Sequence, residues 1–420
     1  MAVHTNIERL KEEIYKGDNA QSICDYIVSG AFDIGSSDIH IEPKSNVVRV
    51  RYRVDGELQE IVEYQPYIHP QIVARYKILA NLKIDESRMP QDGRISREIS
   101  GKAVDLRVST LPTVNGEKIV MRIVDKTKKI PPLEVLGFEG RSKTILEHAL
   151  HQPVGVILTS GPTGSGKSTT LYSCLAQLNT TDVNIMTLED PVEITADGLN
   201  QSQVFPAIGY TFASGLRTAL RQDPDIIMVG EIRDKETIDI AIEAALTGHL
   251  VLSTIHTNSA AETITRILNM GVQGFLIPAA VNAIIAQRLI RRLCPCKKQV
   301  PFTEYDAATQ AKIKKAISHV QKEELLSRVP ADKLKEPAFF KPVGCDKCLQ
   351  SGYKGRVGIY EILTVTPIIK DLILRGAAGV EINEAAIKDG MVSLEMDGII
   401  KALNGQTSLE EVYGAVKEEA

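Results

Sequence analysis

Tryptophan is absent from this chain of 420 residues, and aromatic residues make up only 5% of it. The chain also has no large excess of charge of either sign, because 49 basic side chains are balanced by 53 acidic ones and the formal net charge is −4. Proteins that bind single-stranded nucleic acid combine a basic groove with stacking rings. The scarcity of both features argues against a nucleic-acid partner.

Long hydrophobic runs are lacking as well. The longest apolar stretch, residues 275–286, is interrupted by Pro278 and Asn282 and is shorter than a bilayer span. No N-terminal stretch combines basic residues with an apolar segment, so no signal peptide is predicted. We therefore expect a soluble, cytoplasmic protein whose contact with a membrane is at most peripheral.

A phosphate-binding motif is the strongest positive signal. Residues 161–168 fit the pattern G-x-x-x-x-G-K-[ST] directly after a short apolar strand. Lys167 is the expected counter-charge of the β- and γ-phosphates of ATP, and the Ser168 hydroxyl is the expected ligand of Mg²⁺. Glycines let backbone N–H groups point at phosphate oxygens, and a helix that begins near Lys167 adds its positive end. The other predicted nucleotide-binding residues of this loop are Gly161, Pro162, Thr163, Gly164, Ser165, Gly166 and Thr169.

The predicted fold class is α/β, with a P-loop (RecA-like) core, because buried strands alternate with helices after residue 137 as in a parallel sheet wrapped by helices. A mixed pattern of helix and alternating strands before the core predicts an N-terminal α+β domain. The predicted order is a lead-in segment (1–20), the N-terminal domain (21–125), a linker (126–136), the ATPase core (137–290), a four-cysteine metal-binding subdomain (291–352) and a C-terminal helical subdomain (353–420).

Acidic residues follow two of the predicted strands. Hydrolysis of ATP requires one group that positions the attacking water and another that holds the metal. Glu231 follows strand 225–229 and is the better candidate for the water, since Gly230 stands where many P-loop enzymes carry a metal-binding aspartate. Glu189, Asp190 and Glu193 follow the other strand and are candidates for part of the metal site. The alternative is that such acids only cap the next turn or helix.

Two histidines and two arginines are further candidates. His249 and His256 flank the strand 250–255. A polar residue at a strand end can contact the γ-phosphate and change its position when hydrolysis removes that phosphate. The alternative is a structural role. Arg217 and Arg221 are four residues apart on a predicted helix and so share one face. They form either a solvated face or a phosphate contact, directly or across a subunit boundary.

The six cysteines fall into two groups. Cys24 and Cys174 stand alone in apolar surroundings and are expected in the core. Four others form close pairs, Cys294 with Cys296 and Cys345 with Cys348. In a cytosolic protein such a set indicates a structural zinc site rather than disulfides. The first pair is C-x-C instead of the usual C-x-x-C, so the alternative is four reduced thiols or an incomplete site.

These motifs, taken in order, resemble those of the secretion ATPases that assemble type IV pili and drive type II secretion. The resemblance covers about residues 20–365, and the stretches that carry it are 37–43, 51–56, 90–94, 161–172, 189–193, 216–224, 230–234, 247–249, 253–258, 286–289, 344–348 and 352–361.

The resemblance implies a homo-hexameric ring with ATP between subunits and a PAS-like N-terminal domain that closes over the nucleotide. It further implies an inner-membrane platform protein as partner. Glu189–Glu193 match the family's acidic box, Glu231 its catalytic glutamate, and His249 and His256 its histidine box. Arginines that reach the phosphates match Arg107 and Arg122 of the N-terminal domain and Arg217 and Arg221 of the core.

The predicted function is thus an ATP-hydrolysing motor of pilus assembly or type II secretion, with ATP, Mg²⁺ and Zn²⁺ as cofactors. Retraction ATPases of this family typically lack the four-cysteine site, so its presence favours assembly or secretion. The alternatives are a retraction ATPase, a translocase of DNA uptake or conjugation, and a nucleotide switch without catalysis.

Overall fold

The computed structural model describes residues 5–17, 19–125, 127 and 129–417. It divides into two units on either side of the junction between Lys129 and Ile130, and each contains a large sheet. Of the predicted linker, Lys126 and Lys128 lie outside the described residues. The end of that stretch is not extended, because Leu133–Leu136 form a short helix whose Leu133 is buried in the core of the second unit.

The N-terminal unit is an antiparallel sheet covered on one face by helices. Its strands have the order β3-β2-β1-β6-β5-β4. The elements are α1 (Thr5–Lys16), α2 (Ala20–Asp33), β1 (Asp38–Pro43), β2 (Val48–Val54), β3 (Glu57–Tyr64), α3 (His69–Leu79), β4 (Gln91–Ile99), β5 (Lys102–Thr113) and β6 (Gly116–Asp125).

Alternation along β2 shows why this sheet has one apolar and one polar face. Val48, Val50 and Tyr52 are buried, whereas the arginines between them lie on the opposite face. The Tyr52 hydroxyl donates a hydrogen bond of 2.7 Å to the Ile27 carbonyl, which ties the sheet to α2. The arginine-rich face is thereby left uncovered by α2.

The second unit contains a seven-stranded sheet of order β15-β12-β7-β11-β10-β8-β9. All neighbours in it are parallel except β12 and β15. The elements up to β12 are α4 (Leu133–Leu136), α5 (Gly140–Leu150), β7 (Gly155–Ser160), α6 (Lys167–Leu178), β8 (Ile185–Glu189), β9 (Asn200–Gln203), α7 (Phe212–Ala219), β10 (Ile226–Val229), α8 (Lys235–Leu246), β11 (Leu250–Ile255), α9 (Ala260–Asn269), α10 (Ile277–Ala280) and β12 (Val281–Leu293).

The remaining elements complete this unit. They are β13 (Lys298–Pro301), α11 (Ala307–Ser318), α12 (Lys322–Arg328), α13 (Ala331–Lys335), β14 (Ala338–Lys341), β15 (Tyr353–Leu363), α14 (Pro367–Leu374), α15 (Gly379–Lys388), α16 (Leu394–Leu403) and α17 (Leu409–Lys417). Among the described residues, none of the helices combines the length and the apolar character that a bilayer span requires.

Two strands differ from the sequence-based expectation. The core does not end at residue 290, because β12 continues to Leu293. The segment that opens the predicted helical subdomain is instead β15, which joins the core sheet antiparallel to β12. Most side chains of both strands are buried, and such strands show no alternation that would separate them from a helix.

Candidate active site

The P-loop connects β7 to α6 in a conformation that depends on its glycines. Gly161, Gly164 and Gly166 have φ angles of 143°, 82° and 90°, which residues with a side chain rarely adopt. A Cβ atom on Gly161 would also lie only 2.5 Å from the carbonyl oxygen of Gln287 on β12. The loop therefore presents its backbone N–H groups beside the N-terminus of a 12-residue helix, which is the geometry of an anion site.

Lys167 is held against this loop. Its Nζ donates to the carbonyl oxygens of Gly161 and Pro162, at 2.8 and 3.0 Å. Burial lowers the pKa of Lys167 to about 8; the Glu231 carboxylate opposes this shift and the Arg288 guanidinium adds to it. A partly desolvated ammonium gains most from an anionic ligand, which restores its favourable electrostatic environment.

A cleft of about 470 Å³ lies beside the P-loop. Its wall contains Lys167 and Ser168 from the loop, Asp190 and Glu193 from the segment after β8, and Glu231 from the segment after β10. Strands β7, β10 and β8 are parallel members of one sheet, so their carboxyl ends meet at the same edge. The structure thus brings together the predicted phosphate-binding and acidic residues.

Glu231 lies in the cleft wall next to an arginine and a histidine. Its carboxylate Oε2 lies 2.6 Å from Arg233 Nε and 3.5 Å from His256 Nε2. Burial and the Lys167 ammonium lower the pKa of His256, while the Glu231 carboxylate opposes the shift. Gly230, just before Glu231, packs against β8: a Cβ atom there would lie 3.1 Å from the Leu188 carbonyl oxygen.

Glu189 differs from the other acids because it is buried, with 4% exposure. It accepts hydrogen bonds from the Tyr172 hydroxyl, from Thr187 Oγ1 at 2.6 Å and from Gln201 Nε2 at 3.1 Å. Tyr172 lies on α6, so Glu189 links the P-loop helix to the end of β8. This set of contacts fits a residue that positions the cleft wall.

His249 is not in the cleft. Leu250 pairs with Gly155 and Ile255 with Ser160, so His249 precedes the amino end of β11 and His256 follows its carboxyl end. At a rise of about 3.3 Å per residue, the Cα atoms of the two histidines are about 23 Å apart along the strand. Both histidines flank β11 as predicted, but only the carboxyl end of a parallel strand faces the P-loop, so of the two only His256 lines the cleft. His249 Nδ1 instead lies 3.0 Å from the Ala244 carbonyl oxygen.

Arg217 and Arg221 lie outside the cleft wall of their own chain. Arg217 forms a salt bridge of 2.6 Å with Glu236, and both side chains are about half exposed. Helix α7 ends at Ala219, so Arg221 lies in the turn after the helix rather than on its face. Its Nη1 donates to the Arg217 carbonyl at 2.8 Å. The helix ends early because Asp223 has a positive φ and is followed by Pro224.

In the N-terminal unit, Arg107 and Arg122 lie side by side on the polar face of the sheet. The register pairs Arg94 with Arg107 and Arg107 with Arg122. Arg122 is also opposite Asp38 and donates to its Oδ1 at 3.0 Å. The arginine row concentrates positive charge on this face of the sheet, and Asp38 and Asp105 partly offset it, since Asp105 lies 4.0 Å from Arg94.

The four predicted zinc ligands converge at the ends of β12 and β15. The Sγ–Sγ distances are 3.8 Å for Cys294–Cys345, 3.7 Å for Cys345–Cys348 and 3.9 Å for Cys296–Cys348. Four sulfurs bound tetrahedrally at about 2.3 Å from zinc would be about 3.8 Å apart. Backbone N–H groups of Cys345 and Gly352 also donate to Cys348 Sγ. The C-x-C spacing therefore does not keep the four thiols apart, and the residues fit zinc.

The cleft also fits magnesium. Mg²⁺ prefers hard oxygen ligands and retains several waters. The exposed Ser168 hydroxyl and the carboxylates of Asp190 and Glu231 line one cavity, which supplies such oxygens.

Sequence reasoning missed several cleft residues. Arg233 and Arg356 line the cleft, and Arg356 comes from β15, about 190 residues after the P-loop. Arg233 is only two residues after Glu231, whereas no spacing rule connects Arg356 to the P-loop. Only the strand order, which places β15 next to β12 and β12 next to β7, brings that part of the chain to the site.

Residues 16–414 match the protein family described as "Type II/IV secretion system protein". The type IV pilus assembly ATPase PilB of Pseudomonas aeruginosa is 50% identical over 387 residues, which cover 91% of this chain and 65% of that protein. The type II secretion system protein E of Aeromonas hydrophila is 43% identical over 394 residues, covering 94% of this chain and 75% of the relative. The chain thus spans less than two thirds of the Pseudomonas protein.

Solved structures agree with the fold. The ATPase DotB of Legionella pneumophila matches with a TM-score of 0.65 at 24% identity, covering 94% of this chain and 95% of DotB. The pilus retraction motor PilT, solved with bound ADP, matches with a TM-score of 0.58 at 25% identity, covering 93% of this chain and 95% of PilT. The predicted fold class is confirmed.

Proposed function

The chain belongs to the family of type II/IV secretion system proteins, and from this membership we propose that it is an ATP-hydrolysing motor of a pilus-assembly or protein-secretion machine. The observation that carries the proposal is the shared cleft, in which the P-loop residues Lys167 and Ser168 face the acid Glu231. A protein that only bound nucleotide would need the loop but not the acid.

Each cleft residue has a role in this proposal. The P-loop N–H groups and Lys167 bind the phosphates, and Ser168 with the nearby carboxylates would hold Mg²⁺, which neutralises charge on the phosphates when bound. Glu231 orients the attacking water and accepts its proton. His256 lies beside Glu231 at the end of β11, where a side chain can contact the terminal phosphate.

We further propose that the active unit is a homo-hexamer with nucleotide between subunits. Arg217 and Arg221 are exposed on their own chain and are suited to reach a neighbouring subunit's nucleotide. The arginine row with Arg107 and Arg122 supplies positive charge from the N-terminal unit. Hydrolysis would then drive domain movements that act on an inner-membrane platform protein from the cytoplasmic side.

Assembly or secretion is favoured over retraction. The relatives reported above are named for pilus assembly and type II secretion. The four converged thiols add support, since retraction motors of this family typically lack them.

The test is ATP hydrolysis by the purified chain with and without single-stranded DNA. We expect hydrolysis that DNA does not stimulate, and strong stimulation would favour a translocase.

Lys167→Ala should abolish nucleotide binding and turnover because the phosphate charge is left uncompensated. The half-exposed Lys143 is the control, since Lys143→Ala removes a surface lysine of the same unit outside the cleft.

A further inference from the structure

Two buried polar residues of β12 contact loops of the active site but do not line the cleft itself. Gln287 and Arg288 are 1% and 4% exposed. Strand β12 runs parallel to β7, with Ala286 opposite Ser160, so Gln287 is level with the start of the P-loop. Successive residues of a strand point to opposite faces, so the two side chains reach different loops.

Gln287 contacts the P-loop and its helix at once. Its Nε2 donates to the carbonyl oxygen of Ser165 at 2.7 Å, and its Oε1 accepts from Thr170 Oγ1 at 2.9 Å. In a trans peptide the carbonyl and the next N–H point in opposite directions. The hydrogen bond to the Ser165 carbonyl therefore holds the N–H of Gly166 away from β12, toward the cleft.

Arg288 contacts the loop that carries His256. Its Nη2 donates to the Asn258 carbonyl oxygen at 2.9 Å, and its Nη1 donates to the carbonyl oxygen of Gln287 at 3.1 Å. The segment from His256 to Asn258 connects the carboxyl end of β11 to α9. A single strand thus holds both the loop that binds phosphates and the loop beside Glu231.

We propose that Gln287 and Arg288 are positioning residues that set the geometry of the P-loop and of the His256 loop relative to each other. Gln287 orients a phosphate-binding N–H group and so determines nucleotide affinity. Arg288 fixes the loop next to the terminal phosphate and so determines the rate of hydrolysis. This inference rests on the proposed function, since it assigns these residues to the same site.

The two residues should therefore affect different measured quantities. Gln287→Leu removes two hydrogen bonds to the P-loop region, so the Kd for ADP should rise about tenfold. Arg288→Lys keeps the charge but cannot span both carbonyl oxygens. We expect it to leave the Kd for ADP within about twofold and to lower kcat about tenfold or more.

A matched control lies on the same strand. Asn282 Nδ2 donates to the Val154 carbonyl at 2.8 Å, at the end of β12 that is remote from the P-loop. Asn282→Leu thus removes a side-chain hydrogen bond of the same strand to a backbone carbonyl and should leave both the Kd for ADP and kcat near their wild-type values. Thr170→Val serves as a second probe of Gln287, because it removes only the hydroxyl and keeps the side-chain volume.

The experiment measures the Kd for ADP by calorimetry, kcat for ATP, and the melting temperature with and without ADP. Weaker ADP binding in Gln287→Leu and Thr170→Val, with a smaller ADP-induced rise in melting temperature, supports the proposal. A lower melting temperature with an unchanged Kd would overturn it, because the residues would then be structural only. If the wild-type chain binds no nucleotide, the proposed function itself is wrong.

Discussion

Arg233 Nε lies 2.6 Å from Glu231 Oε2. The carboxylate that we propose to orient the attacking water is thus held by the guanidinium of the residue two positions later in the chain. Glu231 follows β10, where no helix fixes the backbone, and a charge-assisted hydrogen bond is the contact that limits its rotamers. Arg233 is largely exposed, so the same guanidinium is also available to an anion in the cleft.

This contact predicts that Arg233→Gln lowers kcat for ATP hydrolysis by about tenfold or more while the Kd for ADP stays within about twofold. The physical reason is that Glu231 loses its orienting partner but the P-loop is untouched. Steady-state kinetics with ADP calorimetry measure both quantities. A rise in Kd with unchanged kcat would instead place Arg233 among the phosphate-binding groups.

The pKa of Lys167, lowered to about 8 by burial, predicts a pH dependence of nucleotide binding. Only the charged ammonium pairs with phosphate, so ADP should bind with constant affinity below pH 8. Above it the nucleotide-free protein has lost this proton, and the Kd should rise by up to about tenfold per pH unit. Burial lowers the pKa of His256, which moves its titration away from that of Lys167.

Calorimetry between about pH 6.5 and 9.5 checks this pH dependence. Lys167→Arg is the control, since a guanidinium stays charged over the whole range. An alkaline loss of affinity that persists in Lys167→Arg would assign the titration to another group.

The four-thiol cluster predicts about one zinc ion per chain in protein purified without chelators. Cys345→Ser should lose most of this zinc and lower the melting temperature, because zinc binding stabilises the fold that brings β12 and β15 together. Cys24→Ser removes a buried thiol in the other unit and should keep its zinc. Metal analysis by mass spectrometry is the measurement, and wild-type protein free of zinc would show that the C-x-C pair does not close the site.

The sequence predicted that the P-loop and the acids Asp190 and Glu231 would lie at one edge of the sheet, and these residues line one cleft. Parallel strands bring their carboxyl ends to one edge, so a motif after β7 and acids after β8 and β10 had to meet. Such inference needs only the strand pattern and the direction of the chain.

Other features depended on information that the pattern did not contain. The position of His249 outside the cleft of its own chain follows from which end of β11 faces the P-loop. The proximity of Gln287 and Arg356 to the P-loop follows from the position of β12 and β15 in the sheet, and both are largely buried strands without alternation. The burial of Glu189 depends on Tyr172, one helix turn into α6, which shares no sequence motif with it.

The central claim, that this cleft hydrolyses ATP with Glu231 as the general base, is tested most directly by Glu231→Gln. We expect kcat to fall about 100-fold or more with ATP affinity nearly unchanged, since general-base catalysis is lost and phosphate binding remains. Glu243→Gln, an exposed glutamate on α8, should hydrolyse ATP at the wild-type rate. A Glu231→Gln protein that retains wild-type turnover would contradict the account.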